Sequence, residues 1–322
     1  MSHVRPFEVL FLTNFSDSCF RTIPALAQLH DEVEMRLTIL HAYGHAEPTR
    51  AMDTNLSSFF PEADHYAGSR RILMPGSPLD AVRRLRAAGP IDLVVAPAGD
   101  PLGLPRFGRS SLRSRLVREP GTPVWTIGNG TPARRLVRTT GHVVCCVEVG
   151  QTGRCEVRLA SEYARSLGAT LHLVQLMPEI DEQTLYLAYA QRCGANDLIL
   201  TAQRAGAAEV LSPQVRLIDR HRLPQLLKEY DADIVFLDGA SAMARNWLSL
   251  RISPLVDLLP CPAVCVDSAR RDLRWRIQRN TSVHAPSTHV AWQTLPEPDG
   301  AAAEFPVALR AFATASGGFD AS

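Results

Sequence analysis

Ile91-Asp92-Leu93-Val94-Val95-Ala96 and, much later, Asp233-Ile234-Val235-Phe236-Leu237 are two versions of one strand. Each is short and apolar at nearly every position, the pattern of a strand covered on both faces, as in a parallel sheet. A second matched pair follows: Thr122-Pro123-Val124 and Cys261-Pro262-Ala263. The first anchors stand 141 residues apart and the second 139, so the chain repeats with a period near 140. A repeat of that size is a whole domain, not a solenoid unit.

Outward from these anchors, strands alternate with helices. Phe7–Leu12 ends in the polar turn Thr13–Asp17, where Ser16 or Asp17 is placed to cap a helix from Ser18 to about His30. Arg36–His41 is a second strand, a short helix falls near Asn55–Phe60, and Arg71–Met74 is a third strand. Pro78 opens a helix that stops at Gly89-Pro90. Ile91–Ala96, a helix over Ser110–Arg118 and the strand Thr122–Ile127 complete the first half. In the second half, His142–Glu148, Thr170–Leu176, Gln214–Ile218, Asp233–Leu237 and Cys261–Val266 read as strands. Helices are expected over Arg154–Leu167, Asp181–Arg192, Leu223–Tyr230 and Asn246–Leu259, the last bent at Pro254. The expected fold class is α/β: two tandem doubly wound domains, each a five-stranded parallel sheet flanked by helices. The domains are read at 1–132 and 133–270, with a polar, partly disordered C-terminal tail over 271–322 in which Trp275 and Trp292 stand isolated.

The 322 residues suit two cores, since one core stops growing at roughly 250–300 residues. A formal charge of +1 gives no field pointing to nucleic acid or membrane. Lys228 is the only lysine, so the basic residues are otherwise arginines, the side chain best suited to paired contacts with phosphate. Seven cysteines show no zinc spacing, and Cys145-Cys146 and Cys265 lie in apolar runs, as packed thiols do. The reading is a reduced, cytoplasmic setting without a signal peptide or spanning segment.

The ordered pieces resemble the universal stress protein family, in its tandem-domain form. The strand-one turn Leu12–Ser18 looks like that family's, with Asn14 at a position usually acidic; Glu148 holds that position in the second half. Leu37–His41, Gly76-Ser77-Pro78, Asp92–Val95 and Pro123-Val124 resemble its further strands and helix entry, and Leu171–Gln175, Asp233–Leu237 and Cys261-Pro262 repeat the pattern. The resemblance covers roughly residues 5–130 and 140–268 and leaves the tail without a counterpart. It implies an adenine nucleotide alpha hydrolase-like fold, a role in stress responses, and pairing of the two domains with each other or in a homodimer.

Members that bind ATP carry a Gly-x2-Gly loop after strand four and a later Gly-Ser or Gly-Thr, which bring backbone N–H groups to phosphate. This sequence departs from that pattern. Pro97 and Asp100 stand at the two glycine positions of the first half, and Asp238 and Ser241 at those of the second. Proline has no N–H and aspartate repels phosphate. Ligands in such folds sit beyond the strand C-termini, at the switch point of the sheet. The candidate cleft of the first half is therefore Thr13, Asn14, Ala42, Ala98, Gly99, Arg106, Arg109, Ser110 and Ser111; that of the second is Glu148, Leu176, Gly239 and Ser249. Asn14 and Glu148 have the chemistry to hydrogen-bond a ribose but are read first as turn residues at strand ends, and Ser110-Ser111 first as a helix N-cap.

His41, His45, His65 and His172 are read as structural or surface residues, Cys19 as a packed thiol, and no metal-ligand set or catalytic motif appears. The leading expectation is a regulatory or interaction protein of the stress response, with an unidentified protein partner and without strong ATP binding. A switch that binds ATP or AMP through Arg106 or Arg109 is the alternative. A slow ATPase comes third, for want of a base or nucleophile.

Overall fold

In the computed structural model, strand alternation explains why the strand sequences are apolar throughout. β1 (Phe7–Leu12) sends Phe7, Val9 and Phe11 into one buried layer and Leu10 and Leu12 into the other. β6 (His142–Glu148) does the same, with Val143, Cys145 and Val147 on one face and Val144 and Cys146 on the other. The structure describes residues 5–44, 49–97, 112–119, 121–128, 131, 140–148, 154–177, 195–239, 255–267, 275 and 277. All of them belong to one unit, Met1–Thr281.

The first half runs β1, α1 (Asp17–Glu32), β2 (Met35–Tyr43), α2 (Arg50–Ser58), β3 (Arg70–Pro75), α3 (Pro78–Ala88), β4 (Leu93–Val95), α4 (Leu112–Val117) and β5 (Val124–Thr126). The second runs β6, α5 (Arg154–Leu167), β7 (Thr170–Met177), α6 over residues 195–204, β8 (Leu211–Asp219), α7 (Leu223–Glu229), β9 (Ile234–Asp238) and β10 (Ala263–Val266). α1 buries Cys19, Thr22, Ile23, Leu26 and Leu29, a 3.6-period stripe that carries the helix across Pro24. α3 starts as its sequence predicts: Ser77 Oγ accepts from the Asp80 N–H at 3.2 Å and Pro78 takes the first turn. Ser16 stands at the N-cap of α1 but makes no side-chain capping bond.

Several boundaries differ from the sequence reading. α2 lies at Arg50–Ser58, capped by Thr49, and a 3-10 turn, Pro61–His65, follows it. β4 and β5 shrink to three residues each. α6 was not expected at all. Of the helix expected over Asn246–Leu259, the described part is a 3-10 turn, Leu255–Leu258; Pro254 and the helix expected over Asp181–Arg192 lie outside the described residues.

The strand order is β3-β2-β1-β4-β5-β10-β9-β6-β7-β8, one ten-stranded sheet. Each half has the same internal order, with a switch of direction between β1 and β4 and again between β6 and β9. Among the described residues every pairing is parallel except one: β5 runs antiparallel to β10, with Trp125 opposite Val264. The edge-to-edge joint is further fixed by backbone proximity. A Cβ on Gly128 would stand 2.2 Å from the Val256 carbonyl oxygen, so only glycine fits there. Glu32 of α1 accepts from the N–H and hydroxyl of Thr140 at 2.9 and 3.0 Å, and Arg113 of α4 donates to Asp257 at 2.6 Å. One apolar layer, under α1 and α5, and the other, under α3, α4 and α7, each contain residues of both halves.

Candidate functional site

The switch points place the candidate site at the C-terminal ends of β1 and β4, and of β6 and β9. In the first half the chain leaves β1 through a tight polar turn. The Thr13 N–H still bonds Leu40 at 2.9 Å, its Oγ1 accepts from the Phe15 N–H at 3.0 Å, and Asn14 Oδ1 accepts from the Ser16 N–H at 3.2 Å. Asn14 Oδ1 also accepts from the Cys19 thiol at 3.1 Å. Asn14 is exposed, yet its oxygen is engaged in holding the turn. Phe15 carries a φ of 60°, a costly conformation for a bulky residue. That conformation lays its ring on His41, centroids 4.5 Å apart, and edge-on against Phe59. His41 Nδ1 bonds the Thr13 carbonyl at 2.9 Å, so Nδ1 carries a proton. Ala42 is half-buried beside Met74 of β3. Ala98, Gly99, Arg106, Arg109, Ser110 and Ser111 lie outside the described residues.

In the second half the structure brings Glu148 to the end of β6, where its carboxylate forms an ion pair with Arg220. Leu176, its register partner on β7, is 1 % exposed and belongs to the apolar layer under α7. Gly239 is buried: a Cβ there would stand 2.6 Å from Val117 Cγ1 of α4 and 3.1 Å from the Val117 carbonyl. Its lack of a side chain lets the two halves approach. Ser249 lies outside the described residues.

One group at this end escaped the sequence reading. Glu156, in the first turn of α5, is 1 % exposed, and within the described structure its Oε2 has no hydrogen-bond partner. Burial, reinforced by the charges of Asp238 and Asp267, raises its pKa to about 7. The signal was periodicity, because Glu156 shares a helical stripe with Ala160, Tyr163 and Leu167. Burial also drives the Cys145 and Cys146 thiols upward, and Cys155 and Cys265 to about 12, which suits packed thiols rather than nucleophiles. His172 packs structurally, stacked on Tyr230 at 4.2 Å and bonded to His142 at 3.2 Å. Among the described residues no group of His, Cys, Asp or Glu could hold a metal ion, and no helix is long and apolar enough to cross a membrane.

No family model and no curated protein matches the sequence. Solved structures do. A universal stress protein from Archaeoglobus fulgidus DSM 4304 is 14 % identical, covers 81 % of this chain and 96 % of its own, and superposes with a TM-score of 0.53. A protein of unknown function from Pseudomonas aeruginosa PAO1 is 14 % identical over 81 % of this chain and 92 % of its own, with a TM-score of 0.46. A universal stress protein in complex with cAMP is 15 % identical, matching 41 % of this chain and 99 % of its own at a TM-score of 0.32. Parallel strands in the order 3-2-1-4-5, helices on both faces and the first of these superpositions lead to one conclusion: this chain has the fold of the universal stress proteins.

Proposed function

We propose that the protein is a regulatory or interaction protein of the universal stress kind that does not depend on a bound nucleoside triphosphate. The observation carrying this reading is Gly239. It follows directly on Asp238, which holds the first phosphate-loop glycine position at the end of β9, and it is buried against Val117 of the other half. Asp238 beside it adds negative charge, and Glu148 is neutralised by Arg220. In the first half, Asn14 holds its own turn and Pro97 offers no N–H. The same proposal includes an unidentified protein partner.

Nucleotide content tests it directly. The purified protein is denatured and the supernatant run by HPLC with mass detection, followed by calorimetric titration with ATP and AMP. No co-purified nucleotide and no heat of binding is the expected result. A near-stoichiometric adenine nucleotide would overturn the proposal in favour of a switch held by Arg106 or Arg109. Phosphate release above blank would favour a slow ATPase.

A further inference from the structure

The chain does not leave the fold at β10. Trp275, eight residues beyond Asp267, is 4 % exposed, and its contacts divide between the two halves. Toward the first half, its indole Nε1–H donates to the Asp92 carbonyl at 3.1 Å, and its ring meets Phe7 edge-on with centroids 5.2 Å apart. Toward the second, its backbone N–H donates to Glu162 Oε2 at 2.7 Å, and its ring packs against Phe236 at 5.8 Å and Tyr163 at 6.4 Å. Two residues on, the Ile277 carbonyl accepts from the Ser166 hydroxyl at 3.2 Å. Beside the indole lies a cavity of about 40 Å³ whose walls include Phe7, Trp125, Tyr163 and Val264, residues of β1, β5, α5 and β10. Trp275 thus sits over the line where the two five-stranded halves meet.

We infer that Trp275 is a clasp that holds the β5–β10 joint closed. The strand pairing itself is slight: β5 and β10 share three register pairs, and β5 is only three residues long. A side chain with a hydrogen bond to one half and aromatic contacts to both resists their separation in a way that neither half can provide. The Trp275 slot is therefore an interaction surface filled by the protein's own chain, and release of the clasp exposes apolar surface across both halves.

The test uses full-length Trp275→Ala and Trp275→Phe proteins and amide hydrogen exchange read by mass spectrometry. In Trp275→Ala, exchange at Val124–Thr126 and Ala263–Val266 is expected to rise at least ~10-fold, while the outer strands β3 and β8 keep their rates. Trp275→Phe should fall between Ala and the parent, because the ring remains and the N–H to Asp92 is lost. Unchanged exchange at the joint, or an equal rise in every strand, overturns the clasp. If Trp275→Ala does not fold, Trp275→Phe decides alone: a rise confined to the joint supports the clasp, and the parent's rates refute it.

Discussion

Burial holds the Glu156 carboxyl about half-protonated near neutral pH, and this makes stability depend on pH. Its folded pKa, about 7, lies above the ordinary glutamate value of 4.5. The stabilising linkage is complete below pH 4.5 and is lost as pH rises through 7. Replacing it by Gln should therefore help more in base than in acid. Urea unfolding of Glu156→Gln and the parent should show a relative gain at pH 8 that exceeds the gain at pH 5 by roughly 2–3 kcal/mol. An equal difference at both pH values would mean that Glu156 ionises normally in the fold. Gly239 makes a steric prediction. Gly239→Ala should cost roughly 1–3 kcal/mol by overpacking against Val117, and Val117→Ala should recover part of that loss. Strictly additive costs in the double mutant would show that the two residues do not meet. At this scale the sequence placed Thr13, Asn14 and Glu148 correctly at strand ends. It could not show that Asn14 turns its oxygen on Ser16 and Cys19, or that Gly239 serves packing, because both depend on atoms brought together by the fold.

The elements were legible wherever burial is two-sided or periodic. β1 and β6 match their expected bounds to the residue, and α5 does too, since its apolar stripe runs without a break. α6 was missed because the pattern is weak: Leu198 and Ala202 are buried but Leu200 is 45 % exposed, so no continuous stripe marks it. α4 shows what an element can hide. Its Arg113, 5 % exposed, donates to Asp257 of the other half at 2.6 Å and to Thr126 Oγ1 at 3.4 Å. A buried pair broken on one side leaves a charge unpaired. Arg113→Met should lower stability by about 3–5 kcal/mol in chemical denaturation, and Asp257→Asn in the same protein should restore much of it. A loss below ~1 kcal/mol would mean that water already solvates Asp257.

For the whole molecule, the continuous apolar layers matter more than the repeat. Because both layers draw residues from both halves, circular dichroism and tryptophan fluorescence should report one coincident unfolding transition. Two separated transitions would show that the halves hold their structure independently. The repeat could be read from anchors near 140 residues apart. The joint could not, because an antiparallel pairing of Trp125 with Val264 relates distant segments and leaves no period in the chain.

That joint has a consequence for how the protein can vary. When two identical subunits meet edge to edge, every substitution appears on both sides of the axis, and a change that helps one site must be tolerated by its twin. Here the two sides are written separately, and they already differ: Asn14 folds its oxygen into a turn where Glu148 reaches for Arg220. One side is thus at liberty to specialise while the other keeps the shape of the whole.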